Sequence, residues 1–403
     1  MAIHINTSPE DWQNAYNELV FDVSSTNATQ PNFQFLADIN IVGQTNPVSR
    51  LLLPKQPSVN TIKFDIGEVI RNYVSYDFNA FDVSGIQACN NSRAEYYVQF
   101  GEVYDDASGT PTIYSNLASF GDSGTPKKSS NAIFDFLDWS KTAYTNYNID
   151  PNTIASYKTL NQETFMEKLR KDEQKFITFF DPSGTLSLIR ISTLNASQGV
   201  IIQSTAGYTP INGIVSVNIA KAGNSYGYYK TVYDSAFTDS SVKYLSVEGL
   251  TSAEDPLFQT LFLIDNSCTK YDSVRLHWLN NLGAFDSFTF LKVSRDKTNV
   301  ERKQFKKFQP LEYAKTFRAK TNYYTKASDS ITINSDYLTD SEYEGMKQLI
   351  ESPIVMMEVD SNTYVPVNII DTNYEFKKYV NDRRMSNIEL TIEYTFDNFR
   401  QSL

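Results

Sequence analysis

Two histidines, His4 and His277, and two cysteines, Cys89 and Cys268, are the chain's whole stock of the residues most used for proton transfer, thiol chemistry and soft-metal binding. General acid–base catalysis most often places a histidine within reach of a nucleophile and an orienting carboxylate. His4 lies in a terminal stretch, and His277 precedes Trp278 in a strand pattern with no nucleophile motif beside it. We therefore expect His277 to be a packed or interface residue. Zinc needs clustered His and Cys ligands, which these four residues do not supply. The cysteines form no CxxC pair and are expected as buried free thiols of a protein folded in a reducing cytoplasm.

Carboxylates are abundant, yet no two stand out as the acid and nucleophile of a glycosidase. Asp105-Asp106 opens a Ser/Gly loop, where solvated acids are usual. There is no DxDxDG calcium loop, no GxxxxGK[ST] and no GxGxxG. The run Gly223-Asn224-Ser225-Tyr226-Gly227-Tyr228-Tyr229 has the composition to stack on sugars, but fits better as a loop tip or subunit contact. No catalytic, cofactor-binding or metal-binding residue is assigned, and no cofactor is expected.

Charge is the more informative chemistry. The 403 residues carry a formal net charge of -11, which argues against a general nucleic-acid binder. Residues 292–326 reverse the trend with eleven Lys or Arg and three acids, a net of +8, leaving -19 for the rest. Arg302, Lys303, Lys306, Lys307, Arg318 and Lys320 are the candidate interface or lumen residues. Interleaved aromatics from Lys303 to Phe308 and from Tyr313 to Tyr324 suit transient contact with a nucleic-acid backbone or pairing between subunits, and pairing is the simpler expectation. The N-terminus has no secretion signal and no run reaches the length of a membrane span, so no membrane partner is expected.

The elements that must carry these residues are strands for the most part. The 26 Tyr and 26 Phe sit largely in alternating or turn-flanked runs, which favour sheets. Expected strands include 33–41, 50–54, 96–104, 111–114, 176–180, 185–191, 200–203, 213–219, 244–247, 257–264, 274–278 and a strand–turn–strand over 276–290. Residues 1–20 read as an arm or short helix, 64–76 as a helix capped by Asp65, 107–130 as a long loop, and 162–171 as a helix. At the C-terminus, Thr339 with Glu342 makes a capping box, Tyr343, Met346, Leu349 and Ile350 give one apolar face, and Pro353 ends the helix. Alternating strands follow to Phe396, with Pro366 suggesting a sheet edge.

The length implies several domains: a β-sandwich-like one with a short helix over 1–125, a β-rich one with one helix over 126–300, and a third over 301–403. Three runs together resemble virion proteins of phages infecting Bacteroidetes, including the crAss-like group. They are Phe64 to Asp77, Trp278 to Asp286, and the unit from Tyr364-Val365-Pro366-Val367 to Tyr394. The last unit also resembles the tail-tube and tail-hub fold of tailed phages, a β-sandwich flanked by a helix that assembles into rings. The resemblance implies a mainly β, multi-domain chain with a tail-tube-like C-terminal domain over 301–403. It implies no enzyme but a structural ring or hub subunit of the virion tail, assembled in the host bacterial cytoplasm. Its expected partners are copies of itself, other tail, neck or fibre proteins, and passing DNA in transient contact. Residues 1–300 exceed what a minimal tube subunit needs, and suit an outer collar or fibre platform. The alternative is a carbohydrate-binding head or tail fibre that recognises the host surface.

Overall fold

The computed structural model of the chain describes residues 3–78, 86–121, 125–133, 159–161, 166–171, 173–207, 213–219, 227–267, 270–309, 311–360, 363–370 and 387–399. It is mainly β, a multi-domain arrangement of sandwich-like sheet pairs followed by one large C-terminal sheet.

The first third holds β1 (Ile3–Thr7), β2 (Trp12–Asn14), β3 (Val20–Ser25), β4 (Gln34–Ile41), β5 (Ser49–Pro54), β6 (Thr61–Asp65), helix α1 (Gly67–Arg71), β7 (Ile86–Ala88), β8 (Arg93–Asp105), β9 (Pro111–Phe120) and β10 (Lys127–Ser130). β1, β3 and β6 form a three-stranded sheet that packs on a six-stranded one built from β2, β10, β8, β4, β5 and β9. Alternation explains the sandwich. Phe21, Val23 and Phe64 from one sheet meet Phe35, Ala37, Ile39, Tyr96, Val98 and Phe100 from the other in a single core. Full burial of each large apolar side chain contributes roughly 1.5–3 kcal/mol.

Three local expectations fail here for one reason, that tertiary pairing overrides local propensity. Residues 3–7 pair with β3, and residues 12–14 run parallel to β10, so the N-terminal stretch is two strands. The helix expected over 64–76 shrinks to the five residues of α1. Phe64 belongs to β6, and Asp65 accepts hydrogen bonds from the Leu19 and Gly67 amides. The stretch 107–130, expected as a loop apart from a strand over 111–114, supplies the longer β9 and also β10, which complete the larger sheet.

The middle of the chain holds β11 (Lys168–Leu169), β12 (Phe176–Asp181), β13 (Leu188–Leu194), β14 (Val200–Gly207), β15 (Gly213–Asn218), helix α2 (Gly227–Thr238), β16 (Tyr244–Leu250) and β17 (Pro256–Ile264). The sheet β12-β15-β7 faces the sheet β11-β17-β16-β13-β14. Ile177, Phe179, Val215 and Val217 meet Ile189, Ile191, Val247 and Phe262 between them. Where a helix was expected over 162–171, residues 168–169 pair in parallel with β17, and 162–165 lie outside the described residues. Conversely, α2 was not foreseen. Its Tyr, Thr and Val residues are indifferent helix formers, and burial of Val232, Tyr233 and Ala236 in the sandwich core compensates. Of the glycine- and aromatic-rich run 223–229, residues 223–226 lie outside the described residues and Gly227 starts α2.

The C-terminal part holds β18 (Val274–Leu279), β19 (Phe285–Phe290), β20 (Arg295–Lys306), β21 (Lys320–Asn334), helix α3 (Asp340–Glu351), β22 (Val355–Asp360), β23 (Thr363–Ile369), β24 (Glu389–Tyr394) and β25 (Asn398–Phe399). These strands make one eight-stranded sheet, ordered β19-β18-β22-β23-β24-β21-β20 with β25 also on β21. It therefore draws strands from both sides of position 300. Helix α3 lays Tyr343, Met346 and Leu349 on Leu276, Trp278, Ile333, Leu390 and Ile392. Its N-terminus has the expected capping box: the Thr339 hydroxyl accepts from the Glu342 amide while the Glu342 carboxylate accepts from the Thr339 amide.

Pro366 does not mark an edge, because β23 lies between β22 and β24. The β24 ladder starts at Val367↔Tyr394, and beyond it Thr395 N–H reaches the Pro366 carbonyl. The missing proline donor thus falls where that ladder ends, and costs the sheet no hydrogen bond. Between β18 and β19, Gly283 adopts φ +82, and a Cβ there would come within 2.5 Å of the Asn131 carbonyl. The turn sits against the first third of the chain, where Ile133 N–H also donates to the Asn281 carbonyl at 2.7 Å.

Candidate functional site

The basic segment forms a projecting hairpin. β20 pairs antiparallel with β21 from Arg295↔Thr332 to Lys306↔Lys320, with a register slip at Lys303/Gln304. On the far side of β21, β24 covers only Ser330 to Asn334 and β25 only Lys326 and Ala327. The stretch from about Arg302 to Thr325 is therefore a two-stranded ribbon with its connecting loop, extending past the sheet. Every residue of β20 is exposed, as isolated ribbons with no apolar face require.

Arg302, Lys303 and Lys306 lie on β20, Lys307 directly follows it, Arg318 is in the connection, and Lys320 opens β21. The hairpin thus brings all six onto one arm. Lys303 pairs with Glu301 at 3.6 Å and lies 4.9 Å from the Tyr324 ring centre. The other five make no ion pair among the described residues, and Lys306 stands directly opposite Lys320. Like charges facing each other across strands are unfavourable without an anion nearby. Apolar groups share the arm: Phe308 is 90% exposed, Leu311 is fully exposed, and Phe305, Tyr313 and Tyr323 are about half exposed.

A second constellation, unseen in the sequence, is buried at the junction of the middle and C-terminal sheets. Strand register sets it up: Arg275 of β18 stands between Thr289 of β19 and Glu358 of β22. Its guanidinium donates to Glu167 Oε1 at 2.8 Å, Glu173 Oε2 at 3.2 Å, Thr289 Oγ1 at 2.8 Å, Ser287 Oγ at 2.9 Å and the Gln174 carbonyl at 3.0 Å. Lys175 Nζ lies 2.5 Å from Glu167 Oε2, with both side chains sealed from solvent. His277 Nε2 lies 2.8 Å from Glu358 Oε2, beneath the rings of Phe78, Phe176 and Tyr364.

The charges in this cluster are settled by burial and by one another. Burial alone would neutralise Glu167, but Lys175 and Arg275 beside it hold its carboxyl below the usual range. Glu358 is pushed up to about 8 by burial and by repulsion from Glu173, against the pull of Arg275. Burial, with Arg275 and Lys175 nearby, drives His277 well below its ordinary value. The imidazole is therefore neutral, and the Glu358 carboxyl is protonated at neutral pH and donates to Nε2. Two basic side chains, Arg275 and Lys175, thus face two further acidic ones, Glu167 and Glu173. A closed, balanced network of this kind fixes one docking geometry between sheets. His277 is fully buried, in keeping with the packed residue expected from its strand context.

A cleft of about 250 Å³ opens beside the cluster, lined by Arg170, Asp265, Asp336, Leu338 and Glu342 among others. Its charges answer each other: Arg170 holds Asp265 at 2.9 Å, Lys292 holds Asp336 at 3.2 Å, and Lys168 approaches Glu342 at 4.0 Å. Among the described residues, no three His, Cys, Asp or Glu side chains are placed to hold a metal ion. Nor is any helix long and apolar enough to cross a membrane. Cys89 is a buried free thiol whose pKa burial pushes up, and Cys268 lies outside the described residues. Comparison with known protein families and with curated proteins finds no match to either.

The sequence held one signal for the buried cluster. Arg275 interrupts the apolar run Val274-Arg275-Leu276-His277-Trp278-Leu279, and the same strand face carries His277. A strand with Leu276 and Trp278 on one face and charge on the other implies burial on both faces once the flanking residues are apolar. Its partners Glu167, Glu173, Lys175 and Glu358 are spread over about 190 residues, so no local spacing links them.

Proposed function

We propose that the chain is a structural subunit of a tailed-phage virion, a ring or hub protein that assembles in several copies around the tail axis. The observation that carries this reading is the arm: a ribbon whose β20 strand is exposed throughout, rich in cations and exposed aromatics, projecting from a rigid sheet. Such an element gains nothing for the isolated subunit, whereas a neighbour that covers it would bury its Phe, Leu and Tyr side chains and neutralise its charge. The rest of the chain supports the reading as scaffold, since its sandwiches and its buried salt-bridge network hold the arm's base in one orientation. In this role the protein resides in the virion tail after assembly in the host bacterial cytoplasm. It contributes to the conduit or to fibre attachment, and passing DNA meets it only transiently.

Negative-stain microscopy of the purified full-length protein tests the proposal, with sedimentation to measure mass. Closed rings with a central opening are the expected result. A monodisperse monomer at micromolar concentration, together with absence of the chain from the tail in a cryo-EM map of the particle, would sink it.

A further inference from the structure

Charge is unevenly divided along the chain. Residues 300–324 carry seven Lys or Arg and two acids, a net of +5, while residues 1–125 carry five Lys or Arg and fourteen acids, a net of -9. Part of that negative charge is gathered on one face of the first third. Asp65 accepts from the Leu19 amide at 3.0 Å and from the Gly67 amide at 2.9 Å, which draws the 15–19 loop against α1. The exposed Glu18 and Tyr16 of that loop and the exposed Asp65, Glu68 and Tyr73 around α1 thus belong to two segments in direct contact. Arg71, the cation among them, is engaged by the Ala15 and Tyr16 carbonyls and lies 5.7 Å from the Tyr16 ring centre.

Resting on the reading of the chain as a self-assembling subunit, we propose that the β20–β21 arm of one copy docks on the acidic, tyrosine-bearing face around α1 of a second copy. Charge complementarity selects this occupant. The arm's Arg302, Lys306, Lys307, Arg318 and Lys320, which make no ion pair among the described residues, need anions, and its exposed Phe308 and Leu311 need an apolar surface as well. A face of carboxylates around two half-exposed tyrosines supplies both. A nucleic-acid duplex offers phosphates to the cations but keeps its base faces stacked away from Phe308 and Leu311, and the remaining charge of -16 (-11 less +5) on the same molecule repels it. The arm and the acidic face are different surfaces, so the contact is head-to-tail. Such contacts close into a ring when the rotation permits, and otherwise grow as open chains.

Charge exchange in the full-length protein tests the contact. One variant carries Arg302→Glu, Lys303→Glu, Lys306→Glu, Lys307→Glu, Arg318→Glu and Lys320→Glu, all at exposed positions. The other carries Glu18→Lys and Glu68→Lys. Sedimentation velocity should show that the unaltered chain associates at about 0.1 M salt and dissociates toward about 1 M, as the screening length falls from roughly 10 Å to roughly 3 Å. Each variant alone should associate at least about tenfold more weakly, and an equal mixture should recover, because every arm then finds an opposite face. As a readout independent of charge, oxidation of Leu311→Cys mixed with Tyr16→Cys should yield a disulfide-linked pair of chains that neither gives alone.

Undiminished association of the arm variant, with no recovery on mixing and no cross-link, overturns the contact. If that variant still forms rings, the contact fails and the ring reading stands. If mixing and cross-linking succeed but yield only open chains, the contact stands and the ring reading fails. Salt-sensitive binding of a short DNA duplex that is lost in the arm variant, with no recovery of association on mixing, would make the arm a nucleic-acid contact and overturn the proposal.

Discussion

His277 Nε2 and Glu358 Oε2 lie 2.8 Å apart in the sealed junction between the middle and C-terminal sheets, where a single proton serves both groups. The pair belongs to a network whose other members, Arg275, Lys175, Glu167 and Glu173, are joined by ion pairs. Protonation of Glu358 is what lets the network balance.

The first prediction follows from that proton. Glu358 is raised to about 8 in the folded chain, against about 4.3 when unfolded. The folded state therefore holds a proton that the unfolded state has released. Its contribution to stability is full below about pH 4.3 and is lost as pH rises toward about 8. His277 acts oppositely, since a lowered value makes stability fall as pH drops below about 6.5. Glu358→Gln keeps a donor toward Nε2 and cannot ionise. Urea unfolding should place this variant close to the unaltered chain near pH 4 and make it increasingly the more stable of the two as pH rises to about 9. Parallel stability curves across that range would show that Glu358 does not carry the proton.

Arg275 is the second prediction. It is fully buried among Glu167, Glu173 and Glu358, and Arg275→Met preserves much of its length while removing the charge. Buried carboxylates left without their partner cost roughly 3–5 kcal/mol. Adding Glu167→Gln should recover part of the loss, because the two substitutions act on one network and are not additive. Denaturant midpoints of the single and double variants measure this, and additive losses would mean that the network is not coupled.

The fold was legible wherever burial follows local period. Alternation in 33–41, 96–104 and 274–290 located β4, β8 and the β18–β19 hairpin, and the Thr339–Glu342 box located α3 to the residue. Legibility ended where long-range pairing decides. Ser8 to Leu19 has the punctuation of a helix start, yet Trp12 to Asn14 is captured by β10, more than a hundred residues away. Asp65 and Glu68 look like a capping box, but the Leu19 amide claims the Asp65 carboxylate first. The arm was visible as a charge anomaly, because net charge is additive along a sequence. The Arg275 network was not, because its members meet only through strand register and sheet docking.

Thr339→Ala tests the third prediction, that α3 depends on its cap. The substitution leaves the Glu342 amide without its acceptor and removes the hydroxyl's donation to the Glu342 carboxylate, while the Thr339 amide keeps its bond to that carboxylate. A loss of about 1 kcal/mol is expected, with Thr339→Ser close to neutral. Thermal unfolding of the two variants side by side separates the lost hydroxyl from any effect of the lost methyl.

Gly101 gives the fourth. It sits at the register slip between β8 and β9, and a Cβ there would lie 2.3 Å from the Tyr114 carbonyl. Backbone cannot yield as a side-chain tip can. Gly101→Ala should therefore cost about 1–3 kcal/mol through displaced strands. An unchanged denaturant midpoint would mean that β9 shifts freely on β8.

The arm should behave in the opposite way to both. Arg302, Lys306, Lys307, Arg318 and Lys320 touch no acid among the described residues, and like-charged Lys306 and Lys320 face each other across the ribbon. Replacing each with Gln removes repulsion and no native ion pair, so each change should alter the unfolding free energy by no more than about 0.5 kcal/mol. A combined variant that melts at or slightly above the temperature of the unaltered chain is the expected outcome in differential scanning calorimetry. Retained stability alongside weakened self-association would separate the two roles: the sheets and the Arg275 network hold the fold, while the arm's charge is reserved for what binds it. A large drop in melting temperature would instead make the arm part of the subunit's own fold, and remove the physical reason for assigning it a partner.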